Sequence, residues 1–205
     1  MKNEEQFDRK RRRKIEQAIQ ILMAIGMPAA QLNDRTAICL LALLNITVNK
    51  KWMNADNPKL GIRGILDFAR TNMKTNYAEN TRESIRKHSV KQLVEAGVLL
   101  HNPDDPKRAV NSSKNYYQVD DSALQLFKKF GKVDWEEELK FFLSKKPTLI
   151  STYAKSREMS RIKVRTEKEL KLTLSPGKHS NLIKQVIEEF AERFTPGGEL
   201  LYVGD

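Results

Sequence analysis

The run from Ala37 to Leu44 is made only of Ala, Ile, Cys and Leu, and it constrains this chain more than any other segment. Wound as a helix it is apolar on nearly every side, so it has to be covered on every side, and the rest of the fold must wrap around it. Asn33 and Asp34 each suit the N-cap, and the helix extends to about Asn45. Upstream, Ile15, Ala18, Ile19, Leu22 and Ile25 recur at helical spacing in a helix over Glu4 to Ile25 that Gly26 and Pro28 terminate. Its first half carries the run from Arg9 to Lys14, all Lys or Arg, which reads either as a solvated arm or as a phosphate-contacting one. Thr47 to Lys59, with Trp52 and Pro58, reads as loop, and Ile62, Ile65, Leu66 and Phe68 supply the core face of a helix over Ile62 to Met73.

The next helix carries the most information. Asn80 followed by Thr81, Arg82 and Glu83 predicts a capping box with Asn in the Ser/Thr place, and Gly97 predicts the C-terminal stop. At 100° per residue Ile85, Ser89, Val90, Leu93, Val94 and Ala96 share one face, while Ser84, Lys87, His88, Lys91 and Glu95 take the opposite one. Val98 to His101 and Asn115 to Val119 then read as paired strands around a polar loop that is basic at Lys107, Arg108 and Lys114. Asp120 caps a helix to Phe130 with Ala123, Leu124 and Phe127 inward, and Asp134 caps another from Trp135 to about Ser144. Three helices followed at once by a hairpin is the winged-helix form of the helix-turn-helix.

Charge points the same way. Among 205 residues, 37 are basic and 26 acidic, a net charge of +11 that suggests a polyanionic partner. A recognition helix needs hydrogen-bond donors and no large apolar groups on its outer face. Ser84, Lys87, His88 and Lys91 meet that condition, with Thr81 and Arg82 in the first turn, and Lys107, Arg108 and Lys114 are placed to reach flanking phosphates of duplex DNA. The same residues would also make the wet side of an ordinary helix, but the order of stripe, stop and basic hairpin favours DNA. Winged helices also mediate protein contacts, so that use stays open.

Catalytic patterns are sparse. The single cysteine, Cys39, falls inside the central apolar run, which excludes a disulfide framework and a cysteine-based zinc site. His88, His101 and His179 lack metal-ligand spacing, and no nucleotide-binding or hydrolase motif occurs. With 40% hydrophobic and 31% charged residues, a charged N-terminus and no long apolar run, the chain reads as soluble, cytoplasmic and without membrane attachment.

After Pro147 the composition changes. Thr148 to about Ile162 reads as a linker with a helical start, Ile162 to Thr166 and Glu169 to Leu174 as a hairpin, and Leu182 to Phe194 as a helix. That helix has the stripe Leu182, Ile183, Val186, Ile187, Phe190 and Phe194, and Glu199 to Val203 follows as a strand. The expected organisation is a winged-helix domain over 1–146, a linker helix over 147–160 and a third region over 161–205. The fold class is mainly α with a small β component.

The tail carries a resemblance. Ser175, Pro176, Gly177 and His179, then Glu188, Glu189, Phe190, Arg193, Phe194, Pro196 and Gly197, then Tyr202 to Asp205 closely resemble the opening of the nuclease domain in the BsuBI/PstI family of type II restriction endonucleases. Residues from about Asn33 to Ser144 look like that family's N-terminal helical domain. The resemblance implies Mg²⁺-dependent cleavage of both strands of a short palindrome (CTGCAG for the named members), a homodimer, and a methyltransferase protecting the same site. It also implies a nuclease domain of the PD-(D/E)XK type, whose metal-holding acidic residues follow the segment matched by Tyr202 to Asp205. The chain alone is therefore expected to bind DNA, to hold no metal and to cut nothing, and no catalytic role is carried onto Glu188 or Asp205. A winged-helix transcription regulator or controller protein is the alternative.

Overall fold

The computed structural model describes residues 2–78, 80–109, 112–145, 162–164, 172–174 and 178–198. The chain divides into two compact units, 1–150 and 151–205.

The first unit is organised as the apolar run demands. Helix α1 (Lys2–Ala24) packs along α2 (Asp34–Leu43), and every residue of α2 from Thr36 to Leu43 is buried. Of the two candidate caps the structure uses Asn33. Its backbone is extended (φ −140°, ψ 161°) and its side chain accepts from the Thr36 amide at 3.0 Å. Asn45 closes α2 in the left-handed region (φ 49°), with Ile46 N–H reaching Leu41 C=O at 2.8 Å. Helix α3 occupies Ile62–Met73, as its stripe predicts, with Ile62, Ile65, Phe68, Ala69 and Met73 buried.

Segments Thr81–Ile85, Arg86–Val90 and Lys91–Glu95 run on as one helix, α4, whose middle segment is wound in wider π-type turns. Its buried face is the expected one: Ile85, Ser89, Val90, Leu93 and Ala96 are buried, and Val94 packs partly buried against the core. The capping box is not formed. Asn80 is itself helical (φ −63°, ψ −18°) and makes no side-chain cap, because reaching over the first turn requires an extended residue. Glu83 turns instead to Arg86 and Lys87. Gly97, at φ 65°, does end the helix, with Gly97 N–H on Val94 C=O and Val98 N–H on Leu93 C=O.

Strands β1 (Leu99–His101) and β2 (Tyr117–Val119) pair antiparallel, with Leu99 opposite Val119 and His101 opposite Tyr117. The presumed loop before α3 contributes a third position to this sheet. Leu60 exchanges both backbone bonds with Tyr117 (3.1 and 2.9 Å), and the Asn57 side chain bonds both the amide and the carbonyl of Val119 at 2.8 Å. One strand position ahead of the second helix of the motif, a hairpin behind the third, and β2 between them give winged-helix topology. Helices α5 (Asp121–Lys128, capped by Asp120) and α6 (Trp135–Lys145) complete the unit. Trp52, Phe130 and Trp135 stand edge to face at 5.4 and 5.0 Å.

In the second unit β3 (Ile162–Val164) pairs antiparallel with β4 (Leu172–Leu174), Ile162 opposite Leu174, as the hairpin reading expects. Lys178–Gln185, Val186–Ala191 and Glu192–Phe194 form one helix, α7, again with a π-wound middle. Much of its apolar stripe is open to solvent, with Leu182, Val186, Phe190 and Phe194 between 47% and 67% exposed. The readings made for residues 147–160, Ser175, Pro176, Gly177 and the strand Glu199 to Val203, and the matched segment Tyr202 to Asp205, lie outside the described residues. Among the described residues no helix is long and apolar enough to cross a membrane.

Candidate nucleic-acid interface

The outer face of α4 is polar throughout. Arg82, Lys87, His88 and Lys91 are exposed, and Thr81 and Ser84 are half-buried. Its charges are locally balanced. Glu83 binds Arg86 through two bonds (2.6 and 2.9 Å) and approaches Lys87 at 3.3 Å, while Lys91 lies 3.4 Å from Glu95. Hydrogen bonds from Arg86, then from Lys87, pull the Glu83 carboxyl down to about 2. Arg82, Arg86, Lys87 and Lys91 outnumber Glu83 and Glu95 on this helix, which keeps it basic. Such exposed pairs add little stability and exchange readily for other partners.

The wing adjoins the start of this helix. Between the N-terminal ends of α3 and α4 and the wing lies a cleft of about 700 Å³, lined among others by Arg63, Arg82, Arg86, His101, Ser113 and Asn115. Gly61 lets the two sides approach. A Cβ there would stand 3.0 Å from the Asn115 carbonyl oxygen, a backbone atom with little room to yield. His101 stacks on Tyr117 at 4.8 Å, and burial, then the charges of Arg108 and Arg86, hold its imidazole below the usual 6.5.

The three wing cations part company. Lys107 and Lys114 are exposed. Arg108 is turned inward, its side chain 15% accessible, and donates to Asp104 at 2.7 Å and to the Lys114 carbonyl at 2.9 Å. Beside it the buried Asn102, at φ 45°, accepts from the Tyr116 amide (2.9 Å) and donates to the Asn115 side chain (2.7 Å). Arg108 and Asn102 therefore set the wing's shape, and the two lysines provide its open charge.

The orientation of α4 is fixed from behind by a buried polar cluster. Ser89, in the wide turn, accepts from Arg35 Nε at 3.0 Å, and its hydroxyl lies 3.1 Å from Thr36 Oγ1, which is 3.3 Å from Gln31 Oε1. Ser89 and Thr36 are fully buried. Sequence periodicity placed Ser89 on the inner face but did not reveal its partners. It missed Arg63 and Arg86 altogether. Their signal was positional: Arg63 stands one residue inside α3, and its place beside the wing follows from the β-bridge of Leu60 to Tyr117.

Comparison with known proteins is consistent along the chain. Residues 12–151 match the model of the BsuBI/PstI restriction endonuclease HTH domain, and residues 162–205 match that of the BsuBI/PstI restriction endonuclease domain. The type II restriction enzyme BsuBI of Bacillus subtilis is 44% identical over 191 residues, covering 93% of this chain and 60% of the relative. The type II restriction enzyme AplI of Arthrospira platensis is 35% identical over 178 residues, covering 87% of this chain and 55% of the relative. The solved structure of the SdaI restriction endonuclease superposes with a TM-score of 0.63 at 34% identity, over 93% of this chain and 60% of that one. The chain thus spans 55% to 60% of the length of these relatives.

Proposed function

The chain belongs to the BsuBI/PstI restriction endonuclease family, and from that premise we propose that it supplies the target-recognising part of a type II restriction endonuclease and binds duplex DNA through α4 and the adjoining wing. The supporting observation is the placement of Arg82, Lys87, His88 and Lys91 on the exposed face of the third helix of a winged helix, with the wing beside its first turn. In this reading Arg82, Ser84, Lys87, His88 and Lys91 meet base edges in the major groove, the first-turn Thr81 adds a hydroxyl, and Lys107 and Lys114 meet phosphates. Arg108 contributes by holding the wing.

The target proposed, by resemblance, is CTGCAG. Cleavage of both strands with Mg²⁺, a two-fold dimer on the palindrome and a protecting methyltransferase are proposals for the whole enzyme on the same ground. A three-ligand test for the metal fails in the described residues: no three of their His, Cys, Asp or Glu side chains stand together so as to hold an ion. By resemblance, the metal and the cleavage chemistry belong to acidic residues that in the family follow the segment matched by Tyr202 to Asp205.

Competition binding of a labelled CTGCAG duplex against its scrambled counterpart tests the reading. The expected result is preference for CTGCAG and, with Mg²⁺ added, intact DNA. Equal affinity for both duplexes would contradict target recognition by this chain, and double-strand cutting would contradict the assignment of cleavage elsewhere.

A further inference from the structure

A second basic surface lies on the first unit and shares no residue with the α4 cleft. It is a cleft of about 590 Å³ walled by α1 on one side and by the segment from Val48 to Met53 on the other, with Phe130 and Lys132 at its end. Six cations line it: Lys10, Arg13 and Lys14 from α1, Lys50 and Lys51 from the facing segment, and Lys132. No carboxylate lines it among the described residues. Lys10, Arg13, Lys14 and Gln17 fall at positions i, i+3, i+4 and i+7, so one face of α1 delivers them together.

The run from Arg9 to Lys14 is thereby resolved into two jobs. Arg12 pairs with Glu16 and Asp34, and Arg11 lies 3.7 Å from Asp8 and donates to the Met73 carbonyl at 3.3 Å. Lys10, Arg13 and Lys14 turn to the cleft. Of its six cations only Lys50 has a carboxylate within ion-pair distance among the described residues, Asp56 at 2.5 Å. Lys10 donates to the neutral Asn49 side chain at 2.9 Å, and Lys14 lies over the Trp52 ring at 5.5 Å. Burial, then the charge of Arg13, holds the Lys14 amine below its usual range.

We propose that this cleft is a second contact for duplex DNA, holding the sugar–phosphate backbone without regard to sequence. The inference rests on the DNA-binding reading of the chain, not on which face reads the target. Cations from three separate stretches suit a string of phosphates better than a single small anion, and lysines serve as point charges for them. The aromatic floor is closed to bases. Trp52 is 5% exposed, its Nε1 donates to Gln17 at 2.9 Å, and its ring is edged by Phe130 and covered by Lys14. A cleft that cannot stack bases lacks the platform that single strands use, and duplex backbone remains.

The test uses the whole 205-residue chain with Arg13, Lys51 and Lys132 changed together to Gln, all three being exposed. An unchanged melting temperature shows that the fold is intact. The probe is a random-sequence duplex of about 30 base pairs lacking CTGCAG, titrated over a range of KCl. The variant is expected to bind roughly tenfold more weakly at low salt, with the salt slope smaller by roughly two to three. Unchanged affinity and slope would overturn the proposal. So would saturating quenching of the wild-type tryptophans by tripolyphosphate at the concentrations where DNA saturates, since that marks a small-anion site. A parallel variant, Arg82→Gln with Lys87→Gln and Lys91→Gln, separates the two readings. If it keeps the CTGCAG preference while the cleft variant loses affinity, target reading by α4 fails and the backbone site stands. If only the α4 variant is impaired, the backbone site fails.

Discussion

On α4, Arg86, Lys87 and Lys91 each have a carboxylate of the same helix within 3.4 Å, whereas along the α1 cleft only Lys50 has one among the described residues. Both surfaces are basic, and in the proposed reading they serve different tasks. Carboxylates one turn away damp the long-range pull of α4 on any phosphate, and their readily exchanged pairs leave the cations free to turn to a base edge that offers a partner. An unbalanced cleft does the reverse. It attracts any phosphate chain, and its contribution fades as salt rises. Discrimination and grip are assigned to different faces of one small unit.

The largest effect is expected from Leu41→Ala. Leu41 is fully buried in α2, the helix that both α1 and α4 pack against, and its loss should cost about 2–5 kcal/mol and weaken both surfaces together, as denaturant unfolding and binding would show. Next comes Ser89→Ala, which leaves the buried side of the Arg35 guanidinium without its acceptor. A cost of about 1–3 kcal/mol is expected, with lower target preference and an unchanged salt slope at the α1 cleft; a loss confined to that slope would count against the division.

A smaller effect follows from Glu83→Gln. Freed of their carboxylate, Arg86 and Lys87 become available to any phosphate, so affinity for scrambled DNA should rise by roughly three- to tenfold with a steeper salt slope, and discrimination should fall. Mobility-shift titrations at two salt concentrations read this directly. The smallest effect is expected from His101. Its folded-state imidazole titrates below the unfolded value near 6.5, so the unfolded chain takes up the proton first. The stability contributed by neutral His101 is complete above pH 6.5 and erodes as pH falls through the folded value. His101→Phe, which can keep a stack on Tyr117, should flatten the pH dependence of the melting temperature below about pH 6.5.

The scaffold was legible where burial alone decides it. An all-apolar run behind an Asn cap has to be covered on every side, and the stripe of α3 placed its helix at about Ile62 to Met73, where the structure has it. What stayed hidden depends on partners distant in sequence. Leu60 forms a β-bridge only because Tyr117 lies beside it, and Arg108 turns inward only because Asp104 and the Lys114 carbonyl wait for it. The capping-box pattern misled because the residue types were right and the backbone of Asn80 was not. The basic run of α1 could not be apportioned from its own residues, since the division is made by Glu16, Asp34 and the Met73 carbonyl on one side and the bare cleft on the other. Periodicity likewise identified the stripe of α7 but not that much of it stands open to solvent.

In the proposed division α4 reads the target while the other basic groups only hold the duplex. Its most direct test is the ratio of affinities for CTGCAG and scrambled duplex, measured for the wild type, for the α4 variant and for Lys107→Gln with Lys114→Gln. A ratio well above one is expected for the wild type, collapsing toward one in the α4 variant and surviving in the wing variant, whose salt slope alone declines. A ratio that survives the loss of Arg82, Lys87 and Lys91 would contradict it.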